Sequence, residues 1–153
     1  MNEKDIWNKL RNKWPILHWI RIENTSASGT PDCNFCYNGH DVWVELKLYR
    51  SGYIYLEQFQ LQFHLLRNLK GGKSLIFAMD KDRFMVLRLS NPDVLEFAIS
   101  VGKFKKFNIQ YLEKIIEWER PFNWALMFEE FMEKLNDDRL FINVRGRSRK
   151  NLS

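Results

Sequence analysis

Ser28-Gly29-Thr30-Pro31-Asp32 stands twelve residues ahead of Glu45-Leu46-Lys47, and Gln60 follows further on. Residues 32–37 and 41–48 read as two strands, and the Asn38-Gly39 pair between them suits a two-residue hairpin turn. Alternate side chains of a strand share a face, so Glu45 and Lys47 lie together while Val44, Leu46 and Leu48 point the opposite way. The apolar set is expected to enter the core, leaving the carboxylate and the ammonium on an open face. The hairpin brings Asp32, on the neighbouring strand, toward that same face.

Two carboxylates and a lysine so placed suit phosphodiester hydrolysis. The scissile group is anionic, and attack by water needs a divalent cation to neutralise developing charge and to lower the water's pKa. Mg²⁺ prefers oxygen ligands and keeps several waters. Asp32, Glu45 and the backbone carbonyl of Leu46 are the expected set, with Mn²⁺ able to substitute. Lys47 is expected to orient or deprotonate the water and to stabilise charge on the phosphoryl oxygens.

Upstream, Ile6, Trp7, Leu10 and Trp14 recur at helical spacing over residues 3–14, and Pro15 ends the run. Residues 18–23 read as a short strand and 24–31 as a loop. Downstream comes a polar loop at 49–53, then a helix over 57–70 with Phe59, Phe63, Leu66 and Leu69 on one face, closed by Gly71-Gly72. Apolar strands at 74–79 and 84–89 flank a turn at 80–83. Asn91-Pro92 is a cap followed by a first helical position, so helices are expected at 92–100, 109–119 and 122–136. The order predicts an α/β (α+β) chain with a mixed central sheet flanked by helices. Its core would span 1–90, a helical extension packed on the same domain 91–144, and a basic tail 145–153.

The 153 residues suit one domain, and 45% hydrophobic with 15% aromatic residues exclude a disordered chain. A net charge of +5 and a pI near 9.2 allow a polyanionic partner without demanding one. Arg145, Arg147, Arg149 and Lys150 could grip phosphate non-specifically. The first residues hold no apolar run of export or membrane-spanning length, and two cysteines give no disulfide framework. Both point to a cytoplasmic protein with no membrane partner.

The runs Arg21-Ile22-Glu23-Asn24, Ser28-Gly29-Thr30-Pro31-Asp32 and Trp43-Val44-Glu45-Leu46-Lys47 resemble the PD-(D/E)xK nuclease superfamily. Gln60, Phe63 and His64 followed by Gly71-Gly72 resemble VRR-NUC-like proteins, a group with small phage nucleases and Holliday-junction-resolvase-like enzymes. The likeness covers residues 3 to 89. It implies a restriction-endonuclease-like fold and a Mg²⁺-dependent endonuclease that hydrolyses branched or structured DNA in a bacterial or phage-infected cell. It also implies that Asp32 and Glu45 are metal ligands, Lys47 the catalytic lysine and Gln60 a supporting group. The resemblance further calls for an acid on the first helix; Glu3 is favoured and Glu23 competes. A junction-resolving enzyme would act as a symmetric homodimer. The alternative is a catalytically silent nucleic-acid-binding or regulatory protein on the same fold.

Other motifs carry less. Cys33-Asn34-Phe35-Cys36 lacks the second pair of a closed zinc site, and on a strand its cysteines face opposite ways. Gly72-Lys73-Ser74 is no phosphate loop, because position 67 is Arg67 where that motif needs glycine. His18 and His64 have no nucleophile or acid at a recognisable spacing, and His64 reads as a packed or surface residue. Phe122, Trp124, Phe128 and Phe131 are expected to pack against the domain, with a dimer contact as the alternative.

Overall fold

The computed structural model describes residues 1–22, 29–94, 96 and 106–141. Helix α1 (Glu3–Lys13) starts under a reciprocal cap, in which Asp5 N–H donates to the Asn2 side chain at 2.9 Å and Asn2 N–H to Asp5 at 2.7 Å. Strands β1 (His18–Arg21), β2 (Cys33–Tyr37) and β3 (His40–Leu48) follow, then β4 (Tyr53–Tyr55) and helix α2 (Gln58–Leu69). Next come β5 (Lys73–Met79), β6 (Arg83–Arg88), β7 (Lys106–Asn108), a 3-10 turn at Ile109–Tyr111, and β8 (Glu113–Glu119). Helices α3 (Trp124–Leu135) and α4 (Asp138–Phe141) close the described chain.

Six strands form one sheet in the order β1-β2-β3-β5-β6-β8, while β4 and β7 pair as a separate two-stranded sheet. Among the described residues, only β3 and β5 run parallel in the large sheet, and α2 makes the crossover between them. The expected mixed sheet flanked by helices is therefore observed.

Each face of the sheet has its own apolar layer. Val42, Val44 and Leu46 of β3 join Phe77, Phe84 and Val86 against α1 and α3. Ile76, Ala78, Met85 and Leu87 meet Leu61 and Leu65 of α2, together with Ile54 and Phe107 of the small sheet. Trp14 ties the first layer together. Its ring stacks on Phe131 at 5.7 Å and 14°, Trp124 and Phe128 approach edge-on, and its Nε1 donates to the Trp124 carbonyl at 3.0 Å. Aromatic pairs of this kind add about 0.5–1.5 kcal/mol each beyond area burial. The stripe of Phe122, Trp124, Phe128 and Phe131 thus packs on its own domain.

The region beyond residue 90 differs from expectation. Residues 109–119 do not form a helix: after the short 3-10 turn they run as β8, the outer neighbour of β6 in the main sheet. Residues 91–144 are therefore not a purely helical extension. Residues 92–94 and 96 are helical, and the rest of the helix expected at 92–100 lies outside the described residues. The basic tail, with Arg145, Arg147, Arg149 and Lys150, also lies outside them, as does Glu23. Among the described residues, no helix is long and apolar enough to cross a membrane.

Candidate active site

Strand β2 begins at Cys33, opposite Val44, so β3 runs on past the start of its neighbour. Asp32 fills the notch: its carboxylate accepts the Leu46 backbone N–H at 2.8 Å, standing in for the missing strand. A strand residue sends its N–H and C=O to the same side. The Leu46 carbonyl therefore leaves β3 toward the Asp32 side.

The face of β3 that carries Glu45 and Lys47 is not open, contrary to the expectation from alternation alone. Helix α2 lies over it, and Glu45 is only 2% and Lys47 8% exposed. The first turn of α2 explains the match. Gln60 Oε1 accepts the Glu57 N–H at 3.0 Å, capping the helix, so its amide nitrogen is left to donate to Glu45 Oε1 at 2.8 Å. Lys47 Nζ sits 3.6 Å from the same Glu45 oxygen. Gly29 fits the preceding loop against this turn. At φ +85° its ideal Cβ would lie 2.3 Å from the Phe59 carbonyl oxygen, so no larger residue fits there.

Sequence reasoning read His64, one helical turn beyond Gln60, as a packed or surface residue and missed its approach to Glu45. It is fully buried, not on the helix surface, with Nδ1 2.5 Å from Ser74 Oγ and Nε2 3.9 Å from Glu45 Oε2. Burial first, then Lys47, holds its imidazole down at about 3, so the ring is neutral and its contact with Glu45 is dipolar. Nδ1 and the Ser74 hydroxyl share one hydrogen bond, while Nε2, buried without a hydrogen-bond partner, faces Glu45 Oε2. The signal available was the four-residue spacing from Gln60, which puts both side chains on one helix face.

Electrostatics follow from crowding three acids beside one lysine. Burial, then the Glu45 charge, pushes Asp32 up to about 6, against the Leu46 N–H, Lys47 and Arg21. Burial pushes Glu45 up to about 7, against Lys47 and a hydrogen bond with Asp32, with Glu3 adding to the rise. Glu3, at the start of α1, is raised by burial and by Asp32, while Lys47 and Arg21 oppose. The structure therefore brings Glu3, Asp32, Glu45, Lys47 and Gln60 together. Open space begins at Lys47, in a cleft of about 280 Å³ lined also by Glu3, Leu48, Arg50 and Tyr55.

Among the described residues, no three His, Cys, Asp or Glu side chains already form a metal-holding group. The donors present still fit a hard cation: two carboxylates and a backbone carbonyl supply oxygen, and waters complete such a shell. Glu45 Oε2 is buried without a hydrogen-bond partner. Cys33 is buried and Cys36 exposed, in keeping with the sequence reading against zinc.

These shifts set a pH dependence. Both carboxyls titrate above their ordinary values, so between about pH 4 and 7 these two groups hold more protons folded than unfolded, while the neutral His64 partly offsets them below about pH 6.5. Their contribution to stability is full below that window and is lost as the pH rises through it. In EDTA the melting temperature should fall from pH 5 to pH 8, and Asp32→Asn should flatten the slope. A wild-type profile no steeper than that of Asp32→Asn would contradict the assignment.

No family model matches this chain, and no curated protein matches it. A solved structure of Hjc, a Holliday junction resolvase from the archaeal hyperthermophile Archaeoglobus fulgidus, is similar in fold. Identity is 13%, the TM-score 0.48, and the match covers 74% of this chain and 93% of that one.

Proposed function

We propose that the chain is a metal-dependent endodeoxyribonuclease of the restriction-endonuclease-like fold, acting on branched or structured DNA. The observation that carries this reading is the buried Glu45 carboxylate of β3 and the half-buried Asp32 carboxylate just ahead of β2, brought together beside Lys47, which lines the cleft. Mg²⁺, or Mn²⁺ in its place, would be held by Asp32, Glu45 and the Leu46 carbonyl. When bound it would neutralise phosphate charge and acidify a water.

The chain's own groups do the rest. The Leu46 N–H fixes the Asp32 carboxylate, and Gln60 fixes one Glu45 oxygen. Lys47 presents its charge where a phosphoryl oxygen would enter the cleft, and helps orient the attacking water. Glu3 borders that cleft and would hold a water on the far side of Lys47. The branched substrate class comes from the motif resemblance, and a two-fold dimer would bring one cleft to each of two strands.

The direct test is Mg²⁺-dependent cleavage across duplex, single-stranded, flap and four-way-junction DNA. No cutting of any of them by folded protein would overturn the reading.

His64 is assigned the role of orienting Glu45. Groups that orient a metal-binding side chain are worth about 10–100-fold in metal affinity or activity. His64→Leu should weaken Mn²⁺ binding by that range, and His64→Gln, which keeps a donor, should recover part of it. Titration calorimetry on variants with native circular dichroism checks this. Wild-type affinity in His64→Leu would show that the histidine only packs.

A further inference from the structure

The small sheet beside the cleft has an outer face that the catalytic reading leaves unused. Ile54 and Phe107, directly paired, are fully buried and pin its underside to the α2 layer. Alternation then turns Tyr53 and Tyr55 outward, and Lys106, paired with Tyr55, shares their face. Tyr55 is 55% exposed, and Lys106 Nζ rests 4.2 Å from the Tyr53 ring centre.

The platform is braced by backbone hydrogen bonds and joined to the cleft. Arg50 and Tyr53 exchange two backbone hydrogen bonds, at 2.9 and 3.0 Å, across the Ser51-Gly52 turn. Ile109 N–H donates to the Gly52 carbonyl at 3.1 Å and holds that turn against the segment after β7. Tyr55 lines the cleft with Lys47 and Arg50, and also an adjoining hollow of about 270 Å³ with Lys47, Leu56 and Glu57.

We propose that this face binds an unpaired nucleotide next to the scissile phosphate. The base would stack on Tyr55, with Arg50 and Lys106 meeting the flanking phosphates. A surface for intact duplex needs cations alone, because paired bases hide their faces in the stack. Exposed aromatic rings interleaved with cations are what single strands require. The proposal rests on the nuclease reading for its setting and adds that the substrate is unpaired beside the cut.

The test is binding to labelled single-stranded, forked and fully paired DNA by fluorescence anisotropy in EDTA, where no metal-dependent cutting occurs. Tyr55→Thr keeps a β-branched strand residue without the ring. It should weaken single-strand binding about tenfold and leave duplex binding nearly unchanged, while Tyr55→Phe should bind as wild type. Arg50→Gln and Lys106→Gln should each lower the single-strand salt slope by roughly 0.7.

On the unaltered chain, 5-iodouracil placed in the single strand should photo-crosslink to Tyr55. Crosslinks found only elsewhere, or equal losses on single strand and duplex in Tyr55→Thr, would overturn the proposal. Ring-dependent binding with no cleavage under Mg²⁺ would refute the nuclease and leave the platform standing. Cleavage with unchanged strand preference in Tyr55→Thr would do the reverse.

Discussion

Asp32→Asn and Glu45→Gln are each expected to slow strand cleavage by about a thousandfold or more, because each removes a charged ligand from the proposed cation. Neither should unfold the chain. An asparagine oxygen can still accept the Leu46 N–H, and a glutamine oxygen can still accept from Gln60. Burial raises both carboxyls and the Glu45 charge raises Asp32 further, so a neutral amide relieves a cost that the active form bears. Without metal, both variants should melt at or above the wild-type temperature near pH 8. Such a trade of stability for activity is common at functional sites. Single-turnover cleavage and thermal melts decide the point. Wild-type rates in either variant, or full activity in excess EDTA, would refute the metal site.

Lys47→Ala is the second large effect, a loss of about 100- to 1,000-fold in single-turnover rate with DNA binding largely kept. Lys47→Arg should not rescue it. The guanidinium is bulkier in a position that is 8% exposed, and it cannot lose a proton at working pH. The lysine charge also opposes the upward shifts of Glu3, Asp32 and Glu45. Residual activity of the alanine variant should therefore rise with pH along a limb displaced upward from that of wild type. A near wild-type rate, or a pH limb left in place, would remove Lys47 from the chemistry.

The parts of this arrangement that were legible in the sequence are those whose cause is local. Asn38 and Gly39 take φ of 48° and 83°, the geometry their residue types favour, so the β2–β3 hairpin and its register could be read directly. That register placed Asp32 near Glu45 and Lys47. The depth of the site was not legible, because nothing in β3 tells which helix will cover Glu45. Only the tertiary docking of α2 turns Gln60 and His64 onto it.

Strand β8 was misread for a specific reason. Register slips between Val86 and Leu87, whose partners are Ile116 and Lys114, so Ile115 is an extra residue in a bulge. Ile115 and Ile116 then both pack toward one core, and Trp118 follows as the next inward residue. Leu112, Ile115 and Ile116 mimic the i, i+3, i+4 spacing of a helical face in a segment that is extended. The pairing of β4 with β7 was hidden differently: each has three residues, and the partners lie some fifty positions apart.

The position of β8 at the sheet edge also bears on how β6 avoids pairing with other chains. Phe84-Met85-Val86-Leu87 of β6 is an unbroken apolar run, fully buried on both faces. Stripped of β8, it would offer bare amides and carbonyls to any similar strand, a template for amyloid-like stacking. The strand that shields it carries Glu113, Lys114, Glu117 and Glu119, and Glu113 clasps Arg88 of β6 at 2.7 Å. Charge on an outermost strand discourages further addition. Strand β8 thus guards the edge of β6, and a fragment ending at residue 90 would expose that edge and be prone to aggregation.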